Sequence, residues 1–379
     1  MVQMTILYGL SPVSPVGFAA FGGLIAKMEN GELLQLGSWF TMLAKSINAK
    51  MGSKEAAGEV LMWVSEVQCF VQPMPAASEL HVQGESASLS AGDIHFACFN
   101  RLAYCLNMFW SGTQLMNVKN KIAEACLFMK DKNNHSLIFM QIMQSSMLVL
   151  IGGDAEVPKR NAFLMSVQDK QESRIQYTVA FHNIYLALIM GEGELRQHYE
   201  AFLTKQPKSG GILYSESVHV FIVALAAFGL YRESGDLSFA ESGRKQVQQV
   251  KVWSDQGCTW NFQHTFLLLS AEESYGLGDY VAAKESYKNA IAAAENHRFA
   301  NDAALAYELA GRFYMETGDI SSSLEHFRKA HEKYHTWGAV AKADRLFSYI
   351  NNKFANFLDV SCPIQRNDVL QNFDSGSAS

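Results

Sequence analysis

The chain has 379 residues, of which 49% are hydrophobic and 18% are charged, and its formal net charge is −6 at pH 7. Its length and apolar share can supply a large continuous core, while the charged share is below the roughly 25% of ordinary soluble domains. An acidic chain without a basic run or a stripe of Lys and Arg argues against nucleic-acid binding.

The N-terminal segment is uncharged over its first 26 residues. A secretory signal peptide needs a basic segment before an uninterrupted apolar run. This segment has no basic residue there, and Pro12 and Pro15 interrupt its apolar run. The Ser14-Pro15 pair instead predicts a helix start, with the helix continuing to about Asn30.

Two long apolar runs lie further along the chain, at residues 137–151 and 218–231. Both are shorter than the roughly 18–20 residues of a membrane span, so we expect buried helices and no membrane span. The six cysteines have no C-x-x-C spacing. They indicate reduced core residues of an intracellular protein, and we predict a cytoplasmic location.

A glycine followed by an acidic residue recurs along the chain. The pairs lie 40, 42, 43 and 40 residues apart, at Gly153-Asp154, Gly193-Glu194, Gly235-Asp236, Gly278-Asp279 and Gly318-Asp319. Gly112-Thr113 and Gly31-Glu32 extend this spacing towards the N-terminus, and Pro73 marks the break expected near residue 72. Glycine suits the left-handed backbone that ends a helix, and an acid after it can cap the next helix.

This period predicts an all-α fold. We expect a right-handed α-solenoid of about eight helix-turn-helix units with a period near 41 residues, because a fixed period of 20–50 residues is the signature of a repeat architecture. The solenoid is predicted to occupy residues 1–360, and a flexible tail residues 361–379. Terminal units of such arrays normally carry a polar outer face, so the uncharged first unit predicts self-association or a covering partner.

The last two units resemble tetratricopeptide repeats, in which small residues let paired helices approach and aromatic residues fill the space towards the next unit. In the last unit these positions are Tyr307, Ala310, Gly311, Tyr314, Phe327 and Ala330. In the unit before it they are Leu267, Ala271, Ala283, Tyr287 and Ala290.

A solenoid offers a curved inner surface lined by the first helices of its units. In the last two units the residues predicted to face this groove are Glu272, Tyr275, Glu308, Arg312 and Met315. Mixed charge, an aromatic ring and a methionine suit a peptide or protein partner. The alternative is that these residues form the packing and ion-pair surface of the superhelix itself.

One segment matches a metal-binding pattern, H-E-x-x-H, at His331, Glu332 and His335. On a helix this spacing places two imidazoles on one face to bind zinc, with the glutamate as general base. The structural alternative is that the segment continues the second helix of the last unit, because Lys333 separates the histidines and no third ligand stands in a recognisable context. Phosphate-binding loops, kinase signatures and the G-x-S-x-G elbow are absent from the sequence, so no catalytic or cofactor-binding residue is predicted.

The stretch 297–342, which includes Gly318-Asp319 and Trp337-Gly338, resembles one family. It is similar to the helical-repeat region of large multidomain signalling ATPases. In these, a serine/threonine kinase-like domain and an AAA-type ATPase precede the solenoid, and a GAF domain and a sensor histidine kinase follow it. The resemblance implies a signalling context. None of the family's kinase or ATPase motifs occurs here, so no catalytic residue is carried over.

Together these patterns predict a non-catalytic scaffold that binds a protein or peptide, such as a kinase or an AAA-type ATPase, in the concave groove. A second hypothesis is a small-ligand-sensing solenoid similar to the sensor domain of maltose-type transcription activators, which requires a closed, partly apolar pocket with a few convergent polar groups. A remote third is a zinc hydrolase built on His331, Glu332 and His335.

Overall fold

The computed structural model describes residues 2–27, 31–168, 172–191, 194–205 and 214–355. Within these ranges the chain forms eighteen α-helices, a short 3-10 helix at Gly153–Ala155 and a π-helical turn at Trp253–Gly257. No strand occurs in the same ranges. Gly193, Cys362 and the predicted tail at residues 361–379 lie outside the described residues.

The α-helices follow one another with short connections. In chain order they are α1 (Val2–Tyr8), α2 (Ser14–Ala26), α3 (Gly31–Met51), α4 (Ala57–Gln68), α5 (Met74–Ala91), α6 (Ile94–Trp110), α7 (Leu115–Met129), α8 (Asn134–Gly152), α9 (Val157–Gln168), α10 (Ser173–Met190), α11 (Leu195–Thr204), α12 (Tyr214–Ser234), α13 (Leu237–Val252), α14 (Thr259–Gly276), α15 (Tyr280–Asn296), α16 (Ala300–Glu316), α17 (Ile320–Trp337) and α18 (Val340–Lys353).

Sixteen of these helices pair into eight helix-turn-helix units, from α2–α3 to α16–α17, with α1 before them and α18 after them. We call the first helix of each unit its A helix and the second its B helix. Each A helix packs on its own B helix and on the A helix of the next unit. The A helices therefore form a continuous inner wall, and the predicted all-α solenoid is confirmed.

Three of the predicted glycine turns have the expected geometry. Gly235, Gly278 and Gly318 have φ values of +70°, +81° and +85°, the left-handed conformation that glycine adopts without strain. The aspartate after each glycine caps the following helix, since one carboxylate oxygen accepts a hydrogen bond at 3.0 Å from a backbone N–H in the first turn. These turns were predictable because every interaction in them is local.

Two other turns differ from the prediction. Gly31 is the first residue of α3 and does not follow the end of α2. A Cβ atom at Gly31 would overlap the side chain of Gln256, so the glycine is needed there for close packing. Asp154 forms an ion pair with Arg345 of α18, and Gly153 opens a short 3-10 helix before α9.

The N-terminal unit is held together by glycine. The helix α2 begins at Ser14, as predicted, and it crosses α3 so closely that a Cβ atom on Gly22 would lie 2.6 Å from the carbonyl oxygen of Gly37. The outer side of this unit and α1 expose large apolar side chains, including Ile6, Tyr8 and Trp39. Self-association through this end of the molecule stays a prediction.

The superhelix closes on itself, so that units about five positions apart touch. The side chain of Asn261 in α14 is fully buried and reaches the corner between α4 and α5. Its Nδ2 donates to the carbonyl oxygens of Cys69 at 2.6 Å and Gln72 at 2.8 Å, and its Oδ1 accepts from the backbone N–H of Met74 at 2.9 Å. These partners lie 187 to 192 residues away in the sequence.

Similar contacts continue up the superhelix. Asn301 Nδ2 donates to the carbonyl of Trp110 at 3.3 Å across 191 residues, and the indole N–H of Trp337 donates to the carbonyl of Thr113 at 3.1 Å. Arg345 donates to the carbonyl of Met190 at 3.1 Å. Because successive turns of the superhelix pack on each other, much of the inner wall is buried and the remaining space is divided into separate cavities.

Two helices are long and apolar enough, by length and composition alone, to cross a membrane: residues Asn134–Ala155 and Tyr214–Ser234. The prediction that these runs were too short was wrong, because the helices continue beyond the apolar runs. In their most apolar window, 56% and 67% of the residues are buried inside the protein. The structure thus uses both as inner-wall helices of the core. Five cysteines lie among the described residues; Cys126 is half-buried, the others are buried, and all five are free.

Candidate functional site

An open cavity of about 680 Å³ lies on the inner wall, between the C-terminal halves of α10, α12, α14 and α16. We call it the groove. Its polar lining consists of five carboxylates and three guanidinium groups together with one tyrosine: Glu194, Arg196, Arg232, Glu233, Glu272, Tyr275, Glu308, Arg312 and Glu316. The groove therefore carries a formal net charge of −2 on residues contributed by four consecutive units.

Glu308 is the most heavily bonded carboxylate of the groove. It is 3% exposed, and it forms ion pairs with Arg312 at 2.7 Å and with Lys342 of α18 at 2.8 Å. The hydroxyl of Tyr334 donates to it at 3.0 Å. Burial alone would raise the pKa of Glu308, but the two cations and their hydrogen bonds outweigh it and lower the pKa to about 2.

Glu272 occupies a comparable place one unit earlier. It is 1% exposed and forms an ion pair with Arg232 of α12 at 2.5 Å. The hydroxyl of Tyr287, on the B helix of the same unit, donates to it. Burial, together with the nearby Glu272 carboxylate, holds the pKa of Tyr287 well above its usual value, so this hydroxyl keeps its proton. In both units, therefore, a buried glutamate holds an arginine at the surface of the groove: Glu272 holds Arg232, and Glu308 holds Arg312.

Two arginines, Arg312 and Arg232, are held by these buried carboxylates and present polar groups to the groove. The side chain of Arg312 is half exposed although its guanidinium is bound to Glu308. The guanidinium of Arg232 lies 4.8 Å from the ring centre of Tyr275, and the Tyr275 hydroxyl donates to Glu316. Arg312 is held by Glu308, and Arg232 and Tyr275 are each held by two partners, which limits the conformations that these side chains can adopt.

Four of the five predicted groove residues line the groove: Glu272, Tyr275, Glu308 and Arg312. Met315 does not; it is half-buried, with its sulfur 3.3 Å from the hydroxyl of Tyr349. The alternative, that these residues form the packing and ion-pair surface of the superhelix itself, also has support. Glu272 and Glu308 are buried and bind neighbouring helices. Their role in partner binding stays a prediction.

The sequence analysis missed Arg232. Arg232 stands three residues before Gly235, and Tyr275 stands three residues before Gly278. Carrying the repeat register back by one unit would have placed Arg232 on the groove. Glu194 and Glu233 were missed because an exposed acid near a helix end has no distinguishing sequence signal.

The H-E-x-x-H segment lies in the second half of α17. The rings of His331 and His335 are 6.4 Å apart between centroids, and His331 packs against the ring of Phe347 at 5.6 Å. Burial lowers the pKa of His331. Within the described ranges no three His, Cys, Asp or Glu residues come together as a group that could hold a metal ion, so the zinc-hydrolase hypothesis gains no support from geometry.

Comparisons with known proteins add little to this description. No protein-family model matches the chain, and no curated protein matches its sequence significantly. One solved structure, a "Circular tandem repeat protein with novel repeat topology and enhanced subunit contact surfaces", is 12% identical and covers 90% of this chain and 98% of its own, with a TM-score of 0.23. At that score it carries no argument, so the assignment of a helical-repeat solenoid rests on the helices and their packing.

Proposed function

We propose that this chain is a non-catalytic interaction scaffold that binds a peptide or a protein segment in the groove. The observation that carries the proposal is the groove itself, an open polar cavity of about 680 Å³ shared by four consecutive units. Extended concave surfaces of this kind are what helical-repeat proteins use to bind partners.

The anchored cations support this proposal. A long side chain that becomes ordered on binding costs about 0.5–1.5 kcal/mol of conformational free energy. Arg312 is already held by Glu308, and Arg232 is held by Glu272 and Tyr275. Both guanidinium groups are therefore positioned before a partner arrives, and the exposed part of Arg312 can bind a carboxylate or a backbone carbonyl of the partner.

An acidic residue at the edge of the groove, Glu233, indicates that the same partner also carries a basic residue. Glu233 is exposed and forms no ion pair within the described part of the chain. It can pair with a Lys or Arg of the bound segment without first losing another partner. A segment of mixed charge, with a basic residue for Glu233 and an acceptor for Arg312, fits this arrangement.

The resemblance to the repeat region of signalling ATPases supports a place in a cytoplasmic signalling assembly. A kinase or an AAA-type ATPase is the proposed class of partner, bound in trans. The acidic net charge of −6 favours a protein rather than a nucleic acid.

The test is affinity capture from native cell extract, with the whole chain as bait, followed by mass spectrometry. Two groove variants, Glu233→Lys and Arg312→Gln, are compared with two matched controls on the outer helix α13, Glu241→Lys and Arg244→Gln. We expect at least one bound protein to be recovered at least about fivefold less by the groove variants, since charges at an interface govern association, and equally by the controls.

Two results would overturn the proposal. Either no protein is recovered above background, or every recovered protein binds the groove variants and the wild type equally well. Thermal melts of all four variants accompany the capture, so that a folding defect is recognised as such.

A further inference from the structure

A second cavity lies at the other end of the same inner-wall helices. It is formed by the N-terminal halves of α8, α10 and α12 and by α6, and its volume is about 90 Å³. We call it the aromatic cavity. Rings form much of its wall, and they belong to Phe99, Trp110, Phe139, Tyr177, His182 and His219. A volume of 90 Å³ is smaller than the roughly 150 Å³ of an engineered cavity that binds benzene, so a ligand can be no larger than a single ring.

Two polar atoms of this wall have no hydrogen-bond partner. They are Nε1 of Trp110 and Nδ1 of His182, and their residues are only 4% and 2% exposed. Native proteins satisfy nearly all buried polar groups, so an orphaned pair beside a cavity calls for an explanation. Trp110 Nε1 can only donate, whereas His182 Nδ1 donates or accepts according to its tautomer.

The inner part of the cavity is uncharged at neutral pH. Burial, with a smaller contribution from Arg160, holds the pKa of His182 well below its usual value, and burial lowers that of His219 to about 3. The Nδ1 of His219 lies 3.1 Å from the hydroxyl of Tyr177. Both imidazoles are therefore neutral, and neither offers a charged ligand a counter-ion.

The wall also carries charged groups. His135 and Glu172 are both largely exposed and pair at 2.6 Å, and His135 also lines the cavity. Arg174 and Glu216 complete the polar side of the wall.

We propose that the aromatic cavity is a binding site for a small uncharged aromatic molecule of one ring that carries a hydroxyl group. The ring would pack against Trp110 and Tyr177 in offset or edge contacts. A hydroxyl both donates and accepts, so it can accept from Trp110 Nε1 and donate to His182 Nδ1. This is a site separate from the groove, since Ser215 and Arg232 lie at opposite ends of α12, about 25 Å apart along its axis.

Phenol and benzene are the probes, because they share a ring and differ in the hydroxyl. Binding to the purified whole chain is followed by saturation-transfer NMR and by titration over the millimolar range. We expect saturable phenol binding, with benzene about tenfold weaker because it leaves both polar atoms unpaired.

Three variants locate the site. His182→Phe keeps a ring of similar size but lacks the nitrogen, so it should reduce phenol affinity about tenfold and leave benzene affinity unchanged. Leu106→Trp fills the cavity and should abolish the binding of both. The control is His297→Phe, since His297 also has an unpartnered Nδ1 and stacks on Trp260, yet it lines none of the cavities described above; its phenol affinity should equal that of the wild type.

Equal affinities for phenol and benzene would overturn the role of the hydroxyl. Phenol binding that is absent, or that survives both His182→Phe and Leu106→Trp, would overturn the site. If Leu106→Trp does not fold, the smaller change His182→Phe still decides the question.

Discussion

Asn261 provides the most direct test of how the turns of the superhelix are joined. Its side chain satisfies two carbonyls and one N–H at the corner between α4 and α5. Leucine has a similar branched shape but offers no polar atom. Each buried backbone group left without a partner costs about 1–3 kcal/mol, so with three such groups we expect Asn261→Leu to lower the free energy of unfolding by at least about 3 kcal/mol.

Asn261→Ala should cost less. Asn261 lines a further cavity, of about 30 Å³, and removal of the side chain would give a water molecule there access to the three freed backbone groups. Because a water can restore part of the lost hydrogen bonding, we expect a loss of about 2–3 kcal/mol. We therefore expect leucine to be worse than alanine, because only the alanine variant leaves room for a water that pairs with the backbone groups.

The assay is urea unfolding followed by far-UV circular dichroism. Asn289→Leu serves as the matched control, because Asn289 is exposed on α15 and bonds only to Glu285 of its own helix. Repeat arrays need not unfold in one step, so hydrogen exchange at the Met74 amide is measured as well and should accelerate in both Asn261 variants. An unfolding midpoint of Asn261→Leu equal to that of the control would refute the reasoning.

Three further predictions concern the last unit. Gly311→Leu should lower the unfolding midpoint strongly, because even a Cβ atom there would approach the ring of Phe327 to 3.0 Å. Arg312→Glu should destabilise the protein by about 2–4 kcal/mol, since it places a second carboxylate beside buried Glu308, whereas Arg312→Gln should cost clearly less; equal losses in thermal melts would contradict this. The third concerns pH: the pKa of Glu308 falls from 4.5 to about 2 on folding, so its ionised form stabilises the fold above pH 4.5, and about 3 kcal/mol should be lost as the pH falls towards 2. Glu308→Gln should show a flatter dependence of stability on pH over this range in urea titrations.

Local chemistry explains why the repeat itself was predictable. The turns at Gly235, Gly278 and Gly318 need only a left-handed glycine and an aspartate that caps the next helix, so the sequence carries all the information. Gly31 was misassigned because a glycine can also serve close packing, and its neighbour Gln256 is more than two hundred residues away.

The groove was only partly predictable, for a similar reason. Glu272 and Glu308 occupy helix positions that a groove-lining acid would also occupy. What makes them buried anchors is a cation from another unit, Arg232 in one case and Lys342 in the other. The aromatic cavity gave no sequence signal at all, because its wall takes a few residues from each of four consecutive A helices, which come together only when the units stack.

The closure of the superhelix has a consequence for how such a chain can change length. Open repeat arrays gain or lose whole units freely, since each unit contacts only its neighbours. Here a unit inserted or deleted between α5 and α14 would carry Asn261 past the corner it binds, and one placed between α6 and α14 would also displace the pairing of Asn301 with Trp110. We therefore expect relatives of this protein to differ in length at the ends of the array or within its loops. We expect the number of units between the corner of α4 and α5 and the helix α14 to stay constant.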